Sequence, residues 1–126
     1  PIQGLHHWAY RCRDAKETVQ WYEEVLGMKL VKTLELPGGR GQHVFLDMGN
    51  GVDGIAFFWF ADAPEGEPGT SLQGPNGMSA IGTMNHLAFD VPVERFDEYR
   101  EKLKAKAEKA EAKAATMLRA RARKAK

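Results

Sequence analysis

A single cysteine, Cys12, among 126 residues leaves no internal disulfide and points to a reducing, cytoplasmic setting. No run approaches the roughly 20 apolar residues that cross a bilayer, so no membrane partner is expected. A charged segment leading into a long apolar one is missing near residue 1, and no signal peptide is expected. A strong charge of one sign is also lacking, the formal net charge being +1. That balance hides a division. Residues 104–126 hold nine Lys and Arg against two Glu, a net of +7, which leaves −6 for the first 103. An acidic body and a basic tail are expected to have separate roles. With 43% hydrophobic and 28% charged residues, the composition suits one globular domain whose core needs no staple.

What is present is an echo. His7-Trp8-Ala9-Tyr10 returns as His86-Leu87-Ala88-Phe89, and each copy runs on into a helix-like stretch. Tyr99 answers Tyr22 there, and Leu103 answers Leu26. A repeat of this kind implies one structural unit used twice. Histidines at equivalent places in two units are positioned to share one metal ion.

Period and punctuation give the elements. Residues 5–12 alternate as a strand, with Trp8, Tyr10 and Cys12 on one side and His7, Ala9 and Arg11 on the other. Asp14, with Glu17 three positions on, reads as a capped helix start. Val19, Tyr22, Val25 and Leu26 form the apolar stripe of that helix, and Gly27 closes it. Strands are expected over 28–36 and 42–48, joined by the Pro37–Gly41 turn. The Gly49-Asn50-Gly51 signal then leads into a fourth strand over 54–60. That last strand is apolar on both faces and is expected to be central and covered on both sides. Residues 63–82 read as a Gly/Pro-rich linker.

A fifth strand is expected over 83–91, stopped by Pro92, followed by a helix starting near Val93 or Glu94 with Phe96, Tyr99 and Leu103 on its apolar side. Three further strands would complete the repeat. Residues 104–126 instead carry nine Ala and nine Lys or Arg, which favour a continued helix past residue 115. The sequence therefore reads as α+β: a βαβββ module over 1–62, the linker, a partial β-α module over 83–103 and a long C-terminal helix. On this reading residues 1–103 are the domain and 104–126 a basic helical tail.

His-Trp-Ala-Tyr-Arg-Cys-Arg-Asp, followed by Trp21-Tyr22-Glu23-Glu24-Val25-Leu26-Gly27, resembles the vicinal oxygen chelate superfamily of glyoxalases, bleomycin-resistance proteins and extradiol dioxygenases. Met84-Asn85-His86-Leu87-Ala88-Phe89-Asp90-Val91-Pro92 resembles the start of that superfamily's second module. The resemblance covers roughly residues 4–103, so the second module is expected to be truncated. It implies paired modules curled around a metal site, with His7 and His86 as ligands; His6 points the other way. The 55–60 strand offers no carboxylate of the glyoxalase kind, so the pattern fits a two-His, one-Glu site better. Such a site implies Fe(II) as the divalent metal and a small aromatic diol as substrate. The Glu would lie on the missing last strand.

Three readings follow: a ring-cleaving dioxygenase-type metal enzyme, a non-catalytic scaffold of the same fold, and a nucleic-acid binder using the basic tail. The tail has no aromatic for base stacking, so nucleic acid is the least expected partner. His43 is the candidate acid/base group, against an ordinary strand-end histidine. Phe57 and Trp59 share one face of their strand, and Phe58 and Phe60 the other. Phe57 and Trp59 are the candidates for a substrate pocket, against plain core packing. Cys12 is expected to be an inert, helix-facing thiol. A half-built second module would leave an apolar sheet face to cover, so a homodimer is expected.

Overall fold

The computed structural model describes residues 1–63, 84 and 86–124, with side chains in the C-terminal helix up to residue 120. Four strands form one mixed sheet: β1 (His7–Arg11), β2 (Lys29–Glu35), β3 (Gly41–Asp47) and β4 (Gly54–Phe60). Two helices accompany them, α1 (Ala15–Leu26) and α2 (Phe96–Lys124). The strand order is β1-β4-β3-β2, with β1 parallel to β4 and the other neighbours antiparallel. The fold is α+β, and the long terminal helix is present.

Local chemistry sets the ends of α1. The Asp14 carboxylate accepts from the Glu17 backbone N–H at 2.8 Å, and the Thr18 hydroxyl donates to the Asp14 carbonyl at 2.7 Å. Gly27 closes the helix in the left-handed region at φ 69° and donates its N–H to the Glu23 carbonyl at 3.1 Å. The β3–β4 connection holds itself together. Asp47 accepts from the N–H groups of Gly49 and Gly51, while the Asn50 side-chain oxygen accepts from those of Val52 and Asp53.

The core lies between α1 and one face of the sheet. Leu46 and Ile55 are fully buried, with Met28, Val44 and Phe57 around them. Val19, Tyr22 and Leu26 close over it from α1, and Trp8, Tyr10 and Cys12 reach it from β1. β4 is interior, as its apolar run implied. On its α1 side Ile55 and Phe57 are buried and Trp59 is half-buried; on the other side Ala56 is buried, whereas Phe58 and Phe60 are half-buried.

The expected strand over 83–91 is not formed over its described residues, which carry no strand assignment. Alternation survives there, with Leu87 and Phe89 packed on the core while His86, Ala88 and Asp90 are exposed. A period-2 pattern specifies which side chains face inward, but a strand also needs a neighbouring edge to complete its ladder. Leu87 and Phe89 tie this segment to the core by packing.

A 3₁₀ turn over Val93–Arg95 then opens α2, which runs unbroken through Lys124, well past residue 115. The Lys106 ammonium lies 3.8 Å from the Glu24 carboxylate of α1, so α2 packs on the helical layer. Beyond Lys106 its described side chains are exposed. No helix among the described residues is long and apolar enough to cross a membrane.

Candidate site on the sheet face opposite helix α1

Register decides which residues share the second face of the sheet. Tyr10 and Val44 both pair with Phe57, and these three face α1. Alternation therefore turns His7, Ala9 and Arg11 of β1 to the opposite face, with Ala56, Phe58 and Phe60 of β4 and His43 and Phe45 of β3. Lys32 joins them from β2, in register with Phe45. A bulge at Val31 shifts the pairing between Leu30 and Lys32.

These residues make a continuous row of rings. The His43 imidazole stacks on Phe58 at 3.7 Å between centroids and 20° between planes. Phe58 and Phe60 are parallel at 5.7 Å. Phe45 lies 4.2 Å from His43 and meets His7 edge-on at 5.3 Å. The Lys32 ammonium sits over Phe45, 5.9 Å from its centroid. His7 and His43 thus reach one site through a shared aromatic neighbour. His7 also has its Nδ1 2.7 Å from Nδ1 of His6.

His43 is the electrostatically distinctive group. Burial pushes its imidazole below the ordinary histidine value, and the nearby His7 and Lys32 push it the same way. Its Nε2 is buried and has no hydrogen-bond partner among the described residues. A neutral imidazole with one uncommitted nitrogen can take a proton from, or donate a hydrogen bond to, a molecule laid on the face.

The other sequence-chosen residues lie elsewhere. Phe57 is buried under α1, in ring contact with Tyr22 at 5.0 Å, on the face turned away from His7. Trp59 shares its parity, in register with Gln42. His86 is exposed in the extended segment before α2. Among the described residues no group of three or more His, Cys, Asp or Glu is placed to hold a metal ion. Lys32 and Phe45 were not singled out as site residues in the sequence, and Phe58 and Phe60 were named there only as the pair opposite the chosen Phe57 and Trp59. The signal for Phe45 was present, since a residue two positions after His43 must share its face. Cys12 is half-buried, and burial raises its thiol pKa, in keeping with an inert core thiol. On the α1 side, a groove of about 960 Å³ opens between Trp8, Met28, Met48, Phe89, Phe96 and Leu103.

Comparison with known proteins agrees with this architecture. The model of the Glyoxalase/Bleomycin resistance protein/Dioxygenase superfamily matches residues 4–120. A curated relative, the putative ring-cleaving dioxygenase MhqE of Bacillus subtilis (strain 168), is 35% identical over 75 residues. That match takes in 57% of this chain and 25% of the relative, so the chain aligns with about a quarter of the relative's length. Among solved structures, the genomically encoded fosfomycin resistance protein FosX of Listeria monocytogenes superposes with a TM-score of 0.57 at 22% identity, over 85% of this chain and 72% of that one. A variant of the same protein, solved with Mn(II) and 1S,2S-dihydroxypropylphosphonic acid, gives 0.57 at 19% identity, over 85% and 71%. The protein SMU.1112c gives 0.61 at 21% identity, over 85% and 77%. At these identities the structural likeness speaks for the fold alone.

Proposed function

We propose that this chain, which belongs to the Glyoxalase/Bleomycin resistance protein/Dioxygenase superfamily, is a ring-cleaving dioxygenase-type module that takes a small aromatic diol on the sheet face opposite α1. The observation that carries the reading is the meeting of His7 and His43 around Phe45 on that face. The 35% identity to a putative ring-cleaving dioxygenase supports it. The lineage implies a divalent metal, Fe(II) on this reading, with His7 and His86 as its imidazole ligands; of the two, only His7 stands on the ring-lined face, and His86 would have to come to it from the exposed segment before α2. Two imidazoles are an incomplete set, and the described residues add no third ligand group. No step is therefore routed through the metal.

The chain's own residues have definable tasks in this reading. Phe45, Phe58 and Phe60, with His43 stacked among them, give an apolar row of rings for an aromatic ring to pack against. His43, held neutral by burial, accepts a proton from a diol hydroxyl at its unpartnered Nε2. A second copy of the chain covers the face and brings the missing ligand, which makes the working unit a homodimer. Light scattering across a concentration series is expected to show dimers; a particle that stays monomeric throughout would remove this part of the proposal.

Elemental analysis of Fe(II)-loaded protein, beside His7→Ala and His86→Ala, tests the core of the reading. Iron retained by the unaltered chain and lost from both variants, with oxygen uptake on catechols, is the expected result. A second reading is favoured by the incomplete ligand set: a non-catalytic scaffold of the same fold. Absence of retained iron together with absence of turnover would select it.

A further inference from the structure

We infer that the face opposite α1 prefers aromatic ligands bearing a carboxylate over neutral ones of the same shape. This rests on the proposal that an aromatic ring lies on that face, and it adds the ligand's charge.

Three features of the face combine. The first is the ring row: Phe60, Phe58, His43 and Phe45 present successive π-surfaces, with Phe58 and Phe60 parallel to within 3°. A planar ring extends such a row better than a puckered aliphatic one. The second is the sign of the charges around it. Lys32 borders the row over Phe45. Lys32 is exposed and makes no ion pair among the described residues. The third is the lack of a competing carboxylate on the described strands that carry the row. β1 and β4 contain no acidic residue, and the one in β3, Asp47, is engaged by the Gly49 and Gly51 N–H groups at the far end of its strand. Glu35 of β2 belongs to the other face, where it accepts from Gln42 at 2.8 Å.

An aryl carboxylate satisfies all three features at once. Its ring joins the aromatic row and its carboxylate meets the Lys32 ammonium. The buried, unpartnered Nε2 of His43 adds a hydrogen-bond site for a ring substituent or for the carboxylate itself. A neutral diol uses only the ring row and that nitrogen.

Calorimetric titration of the metal-free full chain with benzoate, benzamide and cyclohexanecarboxylate tests the inference without reference to turnover. Benzoate is expected to bind about two- to fivefold more tightly than benzamide, the range that one partly exposed ion pair supports. It should also exceed cyclohexanecarboxylate, and the advantage over benzamide should shrink as salt is raised. Lys32→Met, at an exposed site, should erase the benzoate–benzamide difference, with the far-UV spectrum unchanged. Equal affinity for the acid and the amide, a preference that survives Lys32→Met, or no binding of any of the three would each overturn it. Failure of iron retention or catechol turnover with the carboxylate preference intact would instead sink the ring-cleavage reading alone.

Discussion

Gly41→Ala should be among the most damaging small substitutions available to this fold. Gly41 opens β3 opposite Phe60 of β4, with φ at +143°, where residues with a Cβ are strained. A Cβ there would lie 1.9 Å from the Trp59 carbonyl oxygen, 2.9 Å from its carbon and 3.0 Å from the Phe60 Cα. All three are backbone atoms of an interior strand, so no side chain can swing aside. The end of the β3–β4 ladder must open, and the Leu36 N–H bond to the Gly41 carbonyl at 2.8 Å is at risk with it. Backbone strain of about 1–3 kcal/mol and about 1 kcal/mol for a lost hydrogen bond give a destabilisation of roughly 2–4 kcal/mol. At about 4 °C per kcal/mol for a chain of this length, the melting midpoint should fall by roughly 8–16 °C. Thermal and urea unfolding followed by circular dichroism measure it. Gly38→Ala, at φ +72° with nothing within 4 Å, isolates the cost of conformation from that of the clash. Gly4→Ala, with open space and no unusual φ, should change stability by less than about 0.5 kcal/mol. If Gly41→Ala destabilised no more than Gly38→Ala, the close approach of the two strands would be refuted.

Asp14→Ala removes the cap of α1 and should cost about 1 kcal/mol in urea unfolding; an unchanged midpoint would contradict the Glu17 N–H contact. His43 is held below its ordinary value of 6.5, so the unfolded chain takes up that proton more readily than the native one. Its contribution is complete above about 6.5 and declines as pH falls through the window beneath; His43→Gln should flatten this part of the stability profile, and an unaltered slope would count against the buried imidazole. Glu98 is lowered to about 2, first by its hydrogen bond from Arg95 and then by that from Lys102, so the α2 ion pairs it makes should persist below its ordinary 4.5 and fail only towards pH 2. A carboxyl NMR titration with its midpoint at 4.5 would refute that network. Cys12, its thiol pKa raised by burial, should react with a thiol reagent at neutral pH much more slowly than a free cysteine, and reaction at the free rate would place it at the surface.

Much of the frame was legible because its signals are local. The Asp14 cap, the Gly27 close, the 54–60 strand and the continued terminal helix each depend on residues within a few positions of one another, and each is found where expected. Domain-scale choices were harder. Alternation told that Phe57 and Trp59 oppose Phe58 and Phe60, yet nothing in that run says which pair α1 will cover. The choice is made by Val44, Leu46 and Ile55, which bury against Val19, Tyr22 and Leu26 and so turn Phe57 inward. The 86–91 segment shows the same limit. Its alternation was read as a fifth strand, but ladder formation depends on a strand edge that the segment's own residues do not contain, and the residues that pack on the core are Leu87 and Phe89 while His86 is exposed.

The separation of the two faces bears on how the site can be tested. The largest fully buried side chains, Leu46 and Ile55, lie between the sheet and α1, whereas His7, Lys32, His43, Phe45 and Phe58 stand on the other side. Leu46→Ala is expected to cost about 2–5 kcal/mol, because it leaves a cavity in the core. Lys32→Met removes no buried contact and should stay within about 0.5 kcal/mol. Phe58 is half-buried, so Phe58→Ala should fall between the two, the loss of its stacking on His43 included. Binding defects in Lys32→Met then report on the ligand face and not on folding. An effect of Lys32→Met on the melting midpoint as large as that of Leu46→Ala would mean that the two faces share one packing unit, and the division between core and site would have to be abandoned.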